Sequence, residues 1–96
     1  MIEMNLLETL AAFDTYGTLS ASSIHLHISQ PALSRSMQKL EEELGVKLFE
    51  RTKNRMALNS TGKLAASYAR QILNMEKEMT TAVINHDRSL HTISVG

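Results

Sequence analysis

"ISQPALSRSMQKLEEELG", residues 28–45, is the stretch on which the reading of this chain turns. Ser29 is a good helix N-cap, and Pro31 sits in the first turn, where a missing N–H leaves no acceptor wanting. Leu33, Met37, Leu40 and Leu44 then follow at helical spacing as one apolar stripe, and Gly45 closes the helix. The opposite side carries Gln30, Ser34, Arg35 and Gln38, short or fork-shaped hydrogen-bonding groups. Glu41, Glu42 and Glu43 are consecutive, splay around the helix, and read as a solvated face.

The segments on either side give that helix its context. Upstream, "TLSASSIHLH" forms a short helix that Thr18 can cap, with Leu19, Ser22, Ser23 and Leu26 inward; His27 and Ile28 make a brief turn. Before it, Leu6, Leu10 and Phe13 mark a first helix that ends at Gly17. Two helices joined by a tight turn, the second with a polar outer face, form a helix-turn-helix. Downstream, Leu48 and Phe49 on one arm and Met56 and Leu58 on the other flank a polar tip, Thr52 to Arg55. That pattern is a two-stranded hairpin of the kind called a wing. Asn59 or Ser60 then caps a long helix expected to run to about Asp87. Its residues Ala65, Tyr68, Ile72, Met75, Met79 and Ala82 repeat at alternating spacings of three and four, a heptad seam. A rod of roughly 40 Å outruns so small a domain and needs a second rod. The last residues, "HTISVG", alternate like the start of a strand. The fold class is mainly α: three helices and a two-stranded wing at 1–59, then a dimerisation linker helix at 60–88.

With 96 residues the chain makes one small core, and 43 % hydrophobic content makes it globular rather than disordered. It has no Cys, so disulfides and thiolate metal sites are excluded. No apolar run is long enough to span a membrane and no signal segment opens the chain, so cytoplasmic is the default. The net charge is zero, but it is unevenly spread. Residues 1–28 carry Glu3, Glu8 and Asp14 and no Lys or Arg, whereas Lys47, Arg51, Lys53 and Arg55 against Glu50 make 47–55 net +3. Such a chain can turn its basic end to phosphate.

Helix 29–44 has the chemistry of a DNA reader. Gln30 can pair bidentately with adenine and Arg35 with guanine, Ser34 lets the backbone approach, and Pro31 and Ala32 can touch a thymine methyl. An isolated amphipathic helix is more often simply solvated on its polar side; the short helix, tight turn and basic hairpin around this one reverse those odds. Arg51 on its strand suits phosphate contact better than Lys53 or Arg55 at the tip, and the Thr18 and Ser20 hydroxyls form a small anion site with the N–H groups of the short helix. The seam residues favour self-pairing, which would set two recognition helices roughly 34 Å apart. Nothing here looks like an enzyme: His25 and His27 point to different sides of a helix, and the serines have no His–acid partners. Neither cofactor nor metal is expected. The competing class is a winged-helix interaction module without DNA binding, but such a face would carry aromatic or aliphatic anchors where Gln30, Ser34 and Arg35 stand.

The run "SQPALSRSMQKLEEELGVKLFERT", followed by "LNSTG", resembles the amino-terminal domain of LysR-type transcriptional regulators. The resemblance extends from Met4 almost to the end of the chain and rests on Ser29-Gln30-Pro31-Ala32, Ser34, Leu40-Glu41, Leu44-Gly45, Leu48-Phe49 and Arg51. It implies a winged helix-turn-helix that dimerises through its linker helix on an interrupted palindrome of double-stranded DNA. Gln30, Pro31, Ser34 and Arg35 would then reach base edges, with Ser29 and Gln38 near the backbone. Arg51, Thr52 and Lys53 would be wing contacts, and Thr18 and Ser20 the phosphate-facing helix start. The resemblance also implies an effector-binding domain that takes a small-molecule inducer and supports a homotetramer, the domain starting within 89–96 and its first strand with Ile93 to Gly96. Three departures stand out. Ser22-Ser23 replace a usual Ala–Ala pair and must find hydrogen-bond partners, Asn59 replaces a threonine cap, and Ile24 occupies an often charged position.

Overall fold

The computed structural model describes residues 2–53 and 55–93. The chain runs α1 (Met4–Tyr16), α2 (Leu19–Leu26), α3 (Gln30–Leu44), β1 (Phe49–Thr52), β2 (Arg55–Leu58) and α4 (Ser60–Ile93). This is the winged helix-turn-helix with a trailing rod that the sequence predicts.

Local chemistry sets each boundary. Gly17 ends α1 in the left-handed region at φ 80°, and its N–H donates to the Phe13 carbonyl at 2.8 Å. Thr18 Oγ1 accepts from Ala21 N at 3.0 Å to start α2, which stops at His27, itself left-handed at φ 57°. Ser29 Oγ accepts from Ala32 N at 3.2 Å to open α3, with Pro31 in the first turn. Of the two cap candidates for α4, Asn59 takes the role: its Oδ1 accepts from Gly62 N at 2.7 Å. Its Nδ2 meanwhile donates to the Lys47 carbonyl at 3.1 Å, tying the wing's entry to its exit.

The core is one cluster. Leu6, Leu10 and Phe13 of α1 meet Leu33, Met37 and Leu40 of α3, Leu48, Phe49 and Met56 of the wing, and Ala66 and Ala69 of α4. Phe13 and Phe49 meet edge to face, with centroids 5.1 Å apart, and so hold α1 against the root of the wing. Gly62 lies where α4 crosses the wing: a Cβ there would collide with the Leu48 carbonyl and reach 2.7 Å from Leu58 Cδ2. Arg70 finishes the joint, pairing with Asp14 at 3.0 Å and donating to Thr15 Oγ1 at 2.6 Å, beside the C-terminus of α1. Position 59/60 therefore marks a change of element, not a change of core.

Four local expectations are corrected. Leu44 is not part of the buried stripe of α3 but 41 % exposed, and the stripe closes instead on Glu41. The wing ladder extends to the pair Thr52↔Arg55, so these two belong to the strands and not to the polar tip; Asn54 lies outside the described residues. The long helix continues past Asp87 to Ile93, so 91–93, the first half of "HTISVG", are helical where the alternation suggested a strand; residues 94–96 lie outside the described residues. Of the serine pair, Ser23 Oγ finds the Ser20 carbonyl at 2.9 Å, but Ser22 Oγ is buried with no partner among the described residues.

Candidate nucleic-acid interface

A groove of about 530 Å³ lies between the start of α2, the first turns of α3 and the wing. Thr18, Leu19 and Ser20 form one end, Gln30 and Ser34 one wall, and Arg51, Thr52, Arg55 and Met56 the other. Three segments distant in sequence thus place hydroxyl, amide and guanidinium groups around one concavity. Arg51 and Arg55 give it a positive wall although the whole chain carries no net charge.

The predicted residues fall into three groups. Thr18, Ser20, Gln30, Ser34, Arg51, Thr52 and Arg55 line the groove. Ser29, Pro31 and Arg35 do not line it and are exposed around the N-terminal end of α3. Gln38 lies instead beside a second depression formed with Glu41, Glu42, Gly45, Val46 and Lys47, and Lys53 is exposed at the wing tip. Not all of these groups are equally free. Ser29 Oγ and Thr18 Oγ1 are engaged as caps, and Thr52 Oγ1 donates to the Arg55 carbonyl at 3.3 Å across the ladder.

Arg51 also has a partner, and here the expected solvated face of Glu41–Glu43 is overturned. Glu42 and Glu43 are exposed, but the Glu41 side chain is only 3 % exposed. Its Oε2 accepts from Leu48 N at 2.7 Å and Phe49 N at 3.2 Å, and its Oε1 from Arg51 Nη1 at 3.2 Å. Burial pushes this carboxyl up, but the two backbone N–H groups and the Arg51 charge outweigh it and hold it below its ordinary value. The sequence did contain a signal: 33, 37 and 41 are successive i+4 positions, so Glu41 stands in the stripe of Leu33 and Met37.

Along α4, Tyr68, Ile72, Met75 and Met79 form an exposed stripe, Tyr68 at 58 % and Met75 at 63 %. Ala82 is exposed on the same side, whereas Ala65 packs partly against the domain's own core. The heptad reading missed Leu64, Val83 and Leu90, which are also exposed. Ile24 stands out from α2 at 72 % exposure. Among the described residues no helix is long and apolar enough to cross a membrane, and no three His, Cys, Asp or Glu side chains cluster as metal ligands.

Comparison with known proteins places this geometry in a family. The model of bacterial regulatory helix-turn-helix proteins of the lysR family matches residues 4–63. The chain is 40 % identical over 73 residues to the HTH-type transcriptional regulator MetR of Buchnera aphidicola subsp. Schizaphis graminum, a match covering 76 % of this chain and 23 % of that protein. It is 39 % identical to the HTH-type transcriptional regulator TfdT of Cupriavidus pinatubonensis, covering 75 % of this chain and 32 % of that one. The chain thus spans about a quarter to a third of the length of these curated relatives. Among solved structures, the CbnR_DBD–DNA complex superposes with a TM-score of 0.82 at 32 % identity, covering 88 % of this chain and 97 % of that one. The BenM_DBD/benA site 1 DNA complex gives 0.81 at 30 %, covering 88 % and 98 %. The family match over residues 4–63, the identity to these regulators and the shared architecture lead to one conclusion: the chain belongs to the LysR family of bacterial transcriptional regulators.

Proposed function

We propose that this domain binds double-stranded DNA in a sequence-specific manner as a homodimer, one copy on each half of an interrupted palindrome. The observation that carries this reading is the groove in which Gln30 and Ser34 of α3 face Arg51 and Arg55 of the wing. α3 enters the major groove by its N-terminal turns, and Gln30, Pro31, Ser34 and Arg35 meet base edges. Thr18, Ser20, Ser29, Gln38 and the wing residues Arg51, Thr52, Lys53 and Arg55 lie along the sugar–phosphate backbone and fix the register. The exposed stripe on α4 pairs with its counterpart in a second copy and sets the distance between the two α3 helices. In the whole protein, inducer binding and homotetramer assembly fall to an effector-binding domain that follows α4. This role is regulatory and not catalytic, and it is carried out in the cytoplasm.

Fluorescence anisotropy on short palindromic and scrambled duplexes across a salt series tests the reading. The expected result is two copies per duplex, preference for a palindrome, and a log–log salt slope near −7 for about eight neutralised phosphates. Dimerisation without salt-dependent DNA binding would instead make the domain an interaction module.

A further inference from the structure

Arg51 is assigned to the DNA on the reading above, while the buried Glu41 behind it has no part in that contact. Its position is singular. The Glu41 backbone carbonyl accepts from Gly45 N at 2.8 Å and Val46 N at 3.3 Å as α3 ends. Its carboxylate then takes the two N–H groups that open β1. One residue therefore joins the end of α3 to the root of the wing, and the remaining carboxylate oxygen faces the Arg51 guanidinium.

Arg51 is also gripped from another direction. Its guanidinium carbon lies 5.8 Å from the centroid of the Phe49 ring, and that ring is fixed by Phe13. A guanidinium has five N–H donors in a rigid fork, and the ion pair engages only Nη1. Arg51 still borders the groove opposite Gln30 and Ser34, with its side chain 39 % exposed. A buried carboxylate is a costly way to close a wing, because a well-packed apolar residue of similar volume is often as stable. What an apolar residue could not do is orient an arginine.

We infer that Glu41 is a positioning residue for DNA binding: it holds the Arg51 guanidinium so that its free donors face the groove. This rests on the reading that Arg51 touches DNA. An arginine oriented in advance loses little side-chain freedom on contact and presents a planar fork to a phosphate, whereas a free one must be ordered at the moment of binding. The Glu41 charge opposes phosphate, but its side chain is only 3 % exposed and it borders the second depression beside Gln38, not the groove that Arg51 lines. Aiming therefore outweighs neutralisation.

A double-mutant cycle in DNA affinity tests this, using a duplex that the parent protein selects from a random library and a scrambled control. Glu41→Gln keeps an acceptor oxygen for the Leu48 and Phe49 N–H groups but removes the charge that grips Arg51. The expected result is roughly tenfold weaker binding to the selected duplex with Arg51 present, and a change of under about twofold in the Arg51→Ala background. Equal losses in both backgrounds would mean that Glu41 acts only through stability and overturn the inference. Unchanged or tighter binding with Arg51 present would overturn it from the other side, making Glu41 a restraint. If Arg51→Ala itself left affinity and salt slope unchanged, the DNA contact would be wrong and the inference would fall with it, a result distinct from the previous two. Arg51→Lys covers the case in which Glu41→Gln does not fold. It keeps the charge without the fork and should bind the selected duplex several-fold more weakly at an unchanged salt slope. Parent-like affinity of that variant overturns the aiming role.

Discussion

The first three turns of α4 and the rest of it are one continuous helix built from two kinds of residue. Where α4 crosses α1 and the wing, Gly62, Ala66 and Ala69 are buried. Beyond that point the apolar residues are large and uncovered: Ile72, Met75, Met79 and Val83. The two sets also differ in direction. At about 100° per residue, the stripe from Leu64 through Tyr68 to Met79 lies roughly 120° around the helix from the Gly62–Ala66–Ala69 face. Small residues mark where the backbones must come close; large ones mark a face that the domain itself has no means to cover. The root of α4 is a structural wall, and the arm carries an apolar face that the domain leaves uncovered.

Four substitutions would break or sharpen that contrast. The largest effect should come from Met75→Lys, which on the dimer reading puts a charge into the seam of both copies. Sedimentation equilibrium should show dimerisation weakened by about 3 kcal/mol, with the thermal unfolding of the domain little changed. If Met75→Lys unfolds the domain, the arm is not separable from the root. Gly62→Ala should act in the opposite way, because its Cβ meets the Leu48 carbonyl. We expect about 2 kcal/mol lost in urea unfolding, and an unaffected stability would mean that α4 can lift from the wing without cost. Arg70→Met removes the clamp to Asp14 and Thr15 at the end of the root; with these groups partly exposed, the expected loss is about 1 kcal/mol. Its more telling readout is the preferred half-site separation on DNA, which should broaden as α4 loses its fixed angle to α1. Smallest is Ser22→Ala in the globular part, where a buried hydroxyl has no partner among the described residues. Stability should rise by roughly 0.5–1 kcal/mol, and a loss would mean that Ser22 Oγ has a partner after all.

The sequence made the frame legible because the frame is built from local signals. Thr18, Ser29 and Asn59 are caps, Gly17 and Gly45 are helix ends, and the apolar spacing of Leu6, Leu10, Phe13, Leu33, Met37 and Leu40 announces the faces they bury. The groove was legible for the same reason, since the residues of α3 and the wing that line it carry their chemistry openly. Glu41 was hidden for a physical reason. Its partners Leu48 N and Phe49 N are backbone groups that no side-chain pattern announces, and two solvated glutamates beside it disguise a buried one. Ala65 misled in another way: at the edge between the two faces of α4, its spacing fits the seam while its methyl group faces the core. The length of α4 beyond Asp87 was missed because "HTISVG" alternates polar residues with the β-branched apolar Ile93 and Val95, a weak signal against a helix already nearly eight turns long.

The packing of α1 against α4 has a consequence for the order in which the protein comes into being. Phe13, near the start of the chain, shares a core with Ala66 and Ala69, and Asp14 waits for Arg70. On a ribosome, α1, α2, α3 and the wing emerge before the wall that closes them. The nascent helix-turn-helix therefore keeps one side of its core open to water until Ala69 and Arg70 are outside the exit tunnel. By then the next residues to appear are those of the arm. A domain built in this order becomes competent to close its core only as the exposed apolar face of α4 is being made.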